Sequence, residues 1–477
     1  MSSPDLTDAV ASPSPPKSQG KSPGKSQGKF VTGSTMRHVV VMTLTGSVGL
    51  SFLFLVDFLA LWWISQLGNE VLITAIGFAG TIQFFVMSVS VGMMIGAVAL
   101  VSRALGMGDP DEARRIATSA MIYGATFQTA LAVVVFIFRR EILIWTGANG
   151  PALEVAVQFL AISLPSLPFV AIGMCASAVL RAAGEAWRAM MVTVAAGVVA
   201  LIVDPILIIW MELGVNGAAM GIVLSRMTMA VMGFYWVSQS RKLLARPSAM
   251  DLRLFLLPFA AIAMPAVATQ VSTPFGNWIL VRAMAQHGDS AVAGLGVVLR
   301  LTILCFGGIF ALSGAIGGII GQNYGAKQYD RVAQAYVDAL KFCAIYTGVV
   351  WLLLWLSADL VSTSFGLGPE GAHVVRVFSY YAAGTFVFTG ALFVSNAAFN
   401  NLGRPLWATA ANWARDAILM APFAFGLGAL YAGGGVIMGQ ALANTLAGIG
   451  AAWIGWRFVR RLNGRPAPVL DAKPAST

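Results

Sequence analysis

Long apolar segments dominate this sequence and constrain its fold more than any other feature. Of its 477 residues, 58% are hydrophobic and only 10% are charged, whereas a soluble domain is about 25% charged. A helix of about 20 apolar residues crosses a bilayer. Twelve such segments can be delimited, at about 38–64, 71–101, 117–138, 154–180, 188–211, 215–240, 254–284, 290–320, 333–357, 372–400, 405–430 and 434–459. The sequence therefore predicts an all-α integral membrane protein with twelve transmembrane helices.

Basic residues are concentrated in the termini and in alternate loops between the predicted helices. The side that holds the N-terminus has 22 Lys and Arg residues, and the opposite side has 4. Because positively charged loops stay in the cytoplasm, we expect a protein of the cell (inner) membrane with both termini in the cytoplasm. This distribution accounts for the net charge of +10 without a nucleic-acid partner.

The chain also contains an internal repeat. Five short patterns of the first half recur in the second half at offsets of 218 to 220 residues, among them LGVNGAAMG at 213–221 and YAGGGVIMG at 431–439. Six helices in each half make the repeats parallel, and transporters built from such repeats bind their substrates between the halves. We therefore expect two pseudo-symmetric six-helix lobes around a central cleft.

The repeat and the composition together predict the domain limits. The first residues are rich in Ser, Pro, Gly and Lys and have too few apolar side chains to fold. The predicted parts are a disordered basic cytoplasmic tail (1–36), an N-lobe (37–240), a cytoplasmic linker (241–253), a C-lobe (254–461) and a cytoplasmic tail (462–477).

Two carboxylates lie inside predicted helices of the N-lobe. Asp57 lies in GSVGLSFLFLVDFLALWWISQLG, and Asp204 precedes Pro205 in VALIVDPILIIW. A charge in hydrocarbon costs about 2.5–3.5 kcal/mol, so such residues usually face a bundle interior or a wet cavity. Both are candidates to bind a coupling proton or Na⁺, Asp204 because the proline leaves backbone carbonyls unpaired nearby. The alternatives are a packing ion pair for Asp57 and a local role beside the proline for Asp204.

The repeat makes these two acids asymmetric. Asp57 corresponds to Asn277, and Asp204 corresponds to Phe423, so neither carboxylate recurs in the C-lobe. The coupling chemistry is therefore expected in the N-lobe, where Arg226 is a candidate to compensate one of the two acids.

Three further charged residues lie in predicted helices of the C-lobe, namely Arg300, Arg415 and Asp416. Neighbouring residues on a helix do not face each other, so Arg415 and Asp416 are expected to point to different faces. Asp416 can still pair with Arg300 from another helix, and we expect a structural ion pair within the C-lobe. The alternative is that these residues, with Arg226 and Asn277, line the cleft.

Patterns of other functional classes are missing from the sequence. The three Cys and three His residues are scattered, without the spacing of a disulfide framework or a metal site. The Gly-rich stretch GAIGGIIGQNYGA at 314–326 follows a membrane helix rather than a strand, which argues against a nucleotide-binding loop. We expect a monomeric protein that is not an enzyme and has no metal or organic cofactor.

Four segments in sequence order resemble the MATE family, the multidrug and toxic compound extrusion transporters of the MOP superfamily. They are ALVSRALGMGDPDEARR (99–115), LRAAGEAWRAMM (180–191), VDPILI with GVNGAAMG (203–221) and ALSGAIGGIIGQNYGAKQYDR (311–331). The resemblance implies two lobes that rock between inward-open and outward-open states. It also implies export of organic cations and other amphipathic compounds in exchange for H⁺ or Na⁺. The VDP motif is similar to that of the DinF-like branch, which implies that acids of the first lobe take the coupling ion.

These observations predict a proton-coupled antiporter that exports amphipathic, cationic compounds across the lipid bilayer. Asp57 and Asp204 are the expected coupling residues. The alternatives within transport are coupling to Na⁺ and flipping of a lipid-linked substrate, and the alternative outside transport is a membrane scaffold.

Overall fold

The computed structural model describes residues 28–65, 67 and 70–464, and at several of these, Asp57 included, it describes the backbone alone. All regular structure in this part of the chain is helical. The N-lobe comprises α1 (Thr35–Ser65), α2 (Glu70–Gly106), α3 (Pro110–Ile137), α4 (Arg139–Trp145), α5 (Gly150–Ser163), α6 (Leu167–Ala182), α7 (Ala186–Pro205) and α8 (Gly214–Tyr235). The C-lobe comprises α9 (Ala249–Met284), α10 (Asp289–Cys305), α11 (Gly307–Gly325), α12 (Tyr329–Leu356), α13 (Ala358–Ser364), α14 (Pro369–Val377), α15 (Phe386–Asn401), α16 (Pro405–Trp413) and α17 (Met420–Arg460).

Several of these helices join into longer spans. Ten continuous helical stretches of the described chain are long and apolar enough to cross a membrane, and α10 with α11, bent by 49°, forms an eleventh. The last stretch, Pro405–Arg460, has 56 residues and contains non-helical dihedral angles at Tyr431 and Ala432. Division at this break gives the twelve predicted spans.

The break in α17 is a hairpin that repeats one in the N-lobe. A methyl group at Gly435 would overlap the carbonyl of Leu427, so the two parts of α17 pack against each other in opposite directions. In the N-lobe, a methyl group at Gly217 would lie 2.6 Å from the carbonyl oxygen of Leu207. Glycine permits this close backbone approach, and the matching contacts confirm the pseudo-symmetry of the two lobes.

The lobes contact each other through α1 and α2 on one side and α9 and α11 on the other. A methyl group at Gly92 of α2 would lie 2.5 Å from Val267 of α9, and one at Gly96 would lie 3.0 Å from Ala263. Small residues allow membrane helices to approach closely. These contacts bring the lobes together near the C-terminal end of α2, which is also the end where the chain enters α1.

Residues 28–34, part of the predicted disordered tail, are ordered at this end of the molecule. They contain a 3₁₀-helix at Lys29–Val31, with the side chains of Phe30 and Val31 buried. Residues 1–27 and 465–477 of the predicted tails lie outside the described part of the chain.

Candidate transport site

One end of the cleft is closed by residues 28–34, which we call the strap. Phe30 is 1% exposed, and its backbone N–H donates to Oε1 of Gln322 on α11 at 2.8 Å. Lys29 donates from Nζ to the carbonyl of Gly184, beyond the end of α6, at 2.9 Å. Gln322 belongs to the C-lobe and Gly184 to the N-lobe, so the strap is hydrogen-bonded to both lobes.

Direct bonds between the lobes lie beside the strap. Gln322 donates from Nε2 to the carbonyl of Ala182 at 2.6 Å, and Arg103 donates from Nε to the carbonyl of Asn401 at 2.8 Å. A methyl group at Gly106 would overlap the backbone of Gln322. The close backbone packing and the buried amide together hold the two lobes in contact at this end.

Asp204 is buried inside the N-lobe, with 5% of its surface exposed. It lies near the end of α7, directly before Pro205 and the π-helical turn Ile206–Trp210. A methyl group at Gly221 of α8 would overlap Oδ1 of Asp204. The absence of a side chain at Gly221 therefore makes the space that the carboxylate occupies between α7 and α8.

Arg226 lies on α8, in a network of neutral polar groups. It donates to the carbonyl of Ser163 at 3.1 Å, to Oγ of Ser166 at 2.9 Å and to Oε1 of Gln83 at 2.8 Å. Gln83 in turn donates to Oγ of Ser163 at 2.7 Å. This network joins α2, α5 and α8 inside the N-lobe. Asp57 lies on α1, and its side chain is outside the described residues, so its compensation by Arg226 stays a prediction.

Arg415 and Asp416 pair with each other, and the expectation that they point to different faces is wrong. Asp416 accepts from Nε of Arg415 at 2.7 Å and from a terminal nitrogen at 2.8 Å, and it accepts from Oγ of Ser272 at 2.7 Å. Both residues lie in the π-helical segment Ala414–Leu419. A π-helix has a wider turn than an α-helix, which brings these neighbouring side chains together. The expected ion pair within the C-lobe is therefore present, but the partner of Asp416 is Arg415 and not Arg300.

A glycine on the neighbouring helix leaves space for Asp416. A methyl group at Gly276 on α9 would lie 2.8 Å from Oδ1 of Asp416. The repeat relates Gly276 to Val56 on α1 and Asp416 to Gly197 on α7. In the C-lobe the glycine of this helix pair, Gly276, lies on the first helix of the lobe, α9. In the N-lobe the glycine, Gly197, lies on the fifth segment of the repeat, α7, and the first helix has Val56 instead. Asn277 follows Gly276 and is partly buried.

Two arginines of membrane-spanning segments make no ion pair with a carboxylate among the described residues. Arg181 of α6 donates to Oγ of Ser177 at 2.9 Å and contacts Sδ of Met94 at 2.7 Å, while its Nε has no hydrogen-bond partner. Arg300 is exposed in the middle of α10, on the face opposite the buried Leu295 and Val298.

The sequence model of the MatE family matches residues 47–206 and 265–425. This chain belongs to the MatE family. The two matches begin 218 residues apart and end 219 apart, which agrees with the offset of the internal repeat. The protein is therefore a multi-pass membrane transporter of small molecules, in a family of transporters rather than enzymes.

Curated relatives and solved structures agree with membership of the MatE family. The chain is 25% identical to an FAD transporter of Shewanella oneidensis (91% of this chain and 97% of the relative). It is 23% identical to the multidrug export protein MepA of Staphylococcus aureus (87% and 92%). An outward-facing multidrug resistance MATE transporter matches its fold with a TM-score of 0.86 at 20% identity (94% and 100%). A MOP superfamily transporter from Pyrococcus furiosus matches with a TM-score of 0.85 at 20% identity (94% and 100%).

Sequence reasoning missed several residues of this MatE family site. In the sequence, Arg181 is one of the basic residues between predicted helices, because it is adjacent to the end of an apolar segment. Phe30 and Gln322 meet although 292 residues separate them, and no local pattern predicts such a contact. A single aromatic residue in a Gly- and Lys-rich segment was the available signal for Phe30.

Proposed function

We propose that this MatE family transporter is a secondary active multidrug antiporter that exports amphipathic compounds, organic cations included, in exchange for protons. The observation that carries the proposal is the carboxylate of Asp204, buried between α7 and α8. The repeat has Phe423 at the corresponding position of the C-lobe. An intramembrane acid that has no acidic counterpart at the equivalent position of the other lobe is suited to proton exchange, because intramembrane acids commonly form proton relays in transporters.

The proposed cycle is alternating access with protonation as the switch. Asp57 and Asp204 are deprotonated when the substrate is loaded and protonated when the empty carrier returns. Inward movement of one proton supplies about 2.3 kcal/mol for each 100 mV of membrane potential. One proton can thus drive the export of a neutral or monovalent compound against a moderate gradient.

The orientation belongs to the same proposal. The 22 to 4 distribution of basic residues supports termini in the cytoplasm of the inner membrane. With this orientation the strap closes the cytoplasmic end, and the cleft is open to the outside, where exported compounds are released. The VDP motif at 203–205 supports placement in the DinF-like branch.

The test is drug/proton exchange in proteoliposomes, measured with a fluorescent cation and a pH jump. We expect Asp57→Asn and Asp204→Asn each to abolish exchange while the protein remains folded, because an amide cannot carry the proton. Asp111→Asn is the matched control, since that exposed side chain pairs with Arg114 outside the cleft. Unchanged exchange in both N-lobe variants would contradict the mechanism.

Two alternatives have their own tests. Coupling to Na⁺ predicts that a Na⁺ jump, and not a pH jump, drives exchange in the same vesicles. Flipping of a lipid-linked substrate predicts movement of such a lipid between leaflets without a soluble substrate. The relative named as an FAD transporter favours flavin nucleotides as a further substrate class.

A further inference from the structure

Arg181 lies directly on the cleft side of the closed end. Its backbone carbonyl is next to Gly318, where a methyl group would lie 3.2 Å from that oxygen and 3.5 Å from the ring of Phe30. The side chain turns away from the strap, because a methyl group at Gly314 would lie 3.7 Å from its Nε. Gly314 is about one helical turn farther than Gly318 from Gln322, which binds the strap. The guanidinium therefore forms part of the floor of the cleft.

The contacts of Arg181 leave its charge uncompensated. Ser177 is a neutral acceptor and Met94 provides a thioether, which is a weak acceptor. The Nε–H has no partner, and no carboxylate lies within ion-pair distance among the residues that the structure describes. Arg181 is partly buried, and a cation that is withdrawn from water is unfavourable unless it is paired, so this site favours binding of an anion.

Arg300 adds a second positive charge, on α10 of the C-lobe. It makes no hydrogen bond or ion pair within the described chain, and its side chain is exposed in the first half of the bent span formed by α10 and α11. An arginine that faced lipid would cost about 2.5–3.5 kcal/mol, so it is expected to face a water-filled cavity. A Cβ at Gly296, one turn away, would have no atom within 4 Å, which agrees with open space on this face.

We propose that the cleft contains a binding site for organic anions, with Arg181 holding the acidic group at the floor and Arg300 attracting it from the C-lobe wall. The ligands are amphipathic molecules with an apolar ring system and a phosphate or carboxylate group. They form a substrate class in addition to cations. The inference rests on the proposed function only in that the cleft is the path of the substrate.

The test is equilibrium binding to the full chain in nanodiscs, with riboflavin and riboflavin 5′-phosphate as probes. These probes share one ring system and differ by the phosphate, and flavin fluorescence reports binding. We expect the phosphate to bind at least about tenfold more tightly, which is the effect of one charge-assisted hydrogen bond. Arg181→Gln should abolish this preference, Arg181→Lys should retain part of it, and Arg300→Gln should weaken it less than Arg181→Gln.

Matched controls separate the site from a general loss of structure. Arg188→Gln should keep the full preference, because Arg188 pairs with Glu185 at the start of α7, outside the cleft. Binding of the cation ethidium should survive Arg181→Gln. Equal affinity of the wild type for both flavins, an unchanged preference in Arg181→Gln, or loss of ethidium binding in that variant would overturn the proposal. Because the assay needs no gradient, failure of drug/proton exchange would leave this result intact.

Discussion

The two lobes share one helical design but hold their buried carboxylates in different ways. In the C-lobe, Asp416 accepts two hydrogen bonds from Arg415, its neighbour in sequence, and a third from Ser272. In the N-lobe, Asp204 stands between Val203 and Pro205 and lies against the backbone of α8. Asp416 is thus fixed in an ion pair with a guanidinium, whereas Asp204 fills the space left by Gly221 between two helices. The difference suggests a structural role for one lobe's acid and a coupling role for the other's.

The largest expected effect on stability comes from breaking the C-lobe pair. Asp416→Leu leaves the buried guanidinium of Arg415 without its partner, and removal of one member of a buried pair costs about 3–5 kcal/mol. The double variant Arg415→Met/Asp416→Leu should regain most of this stability, because it removes both charges. Thermal unfolding in detergent measures both effects.

The control for the C-lobe pair is Asp111→Leu. Asp111 is mostly exposed and pairs with Arg114 on the surface, and exposed pairs of this kind contribute little. If Arg415→Met/Asp416→Leu were as unstable as Asp416→Leu alone, the pair would have more than a structural role. The distinction between a structural acid in the C-lobe and a coupling acid in the N-lobe would then be contradicted.

The next prediction concerns the strap, which holds the two lobes together. Phe30→Ala removes a fully buried ring at the closed end, a change that typically costs about 3–5 kcal/mol. We expect the lobes to separate more often, which would expose Ser102, a residue buried where α2 meets α11. In a background without native cysteines, labelling of Ser102→Cys by a water-soluble maleimide should become at least about tenfold faster.

A matched control for the strap is Trp187→Ala, because Trp187 is 64% exposed and its truncation should leave the labelling rate unchanged. If Phe30→Ala also left labelling unchanged, the strap would have no part in closing the cleft.

Two related glycines compare the carboxylate sites more finely. Gly221→Ala places a methyl group against the side chain of Asp204, and Gly439→Ala places one against the backbone of Phe423. A side chain can move, whereas a backbone resists displacement. We therefore expect Gly221→Ala to lower drug/proton exchange about tenfold with little loss of stability, and Gly439→Ala to lose about 1–3 kcal/mol of stability. If both variants lowered drug/proton exchange equally, the result would contradict a coupling role for Asp204.

Much of the fold could be predicted from the sequence because apolar length and the internal repeat are properties of regular helices. The alignment of 213–221 with 431–439 located the hairpin inside α17, although both parts of α17 are apolar. The same regularity failed at Arg415 and Asp416. Their pairing depends on the π-helical turn at Ala414–Leu419, and the α-helical rule for neighbouring residues does not hold there.

The closed end of the cleft could not be predicted for a different physical reason. The strap is polar and rich in glycine, so its order comes from its contacts with Gln322 and Gly184 rather than from its own sequence. Arg181 likewise resembles a loop charge in the sequence. Its position at the floor of the cleft follows from where α6 meets α11, and this is a property of the packed structure.

The smallest expected effect concerns the hairpin turns, where the lobes differ by one methyl group. Gly214 and Ala432 have φ values of 53° and 52°, and a positive φ of this kind costs a residue other than glycine about 1–3 kcal/mol. Ala432→Gly should therefore stabilise the protein by about 1 kcal/mol, and Gly214→Ala should destabilise it by a similar amount. Ala429→Gly, at an exposed helical position of the same hairpin, should instead destabilise by about 1 kcal/mol. Ala432→Gly and Ala429→Gly remove the same methyl group from residues that differ in backbone conformation. Opposite shifts of these two variants in thermal unfolding would show that the packing around the C-lobe turn holds it in its strained form. Shifts of the same sign would contradict the equivalence of the two hairpins.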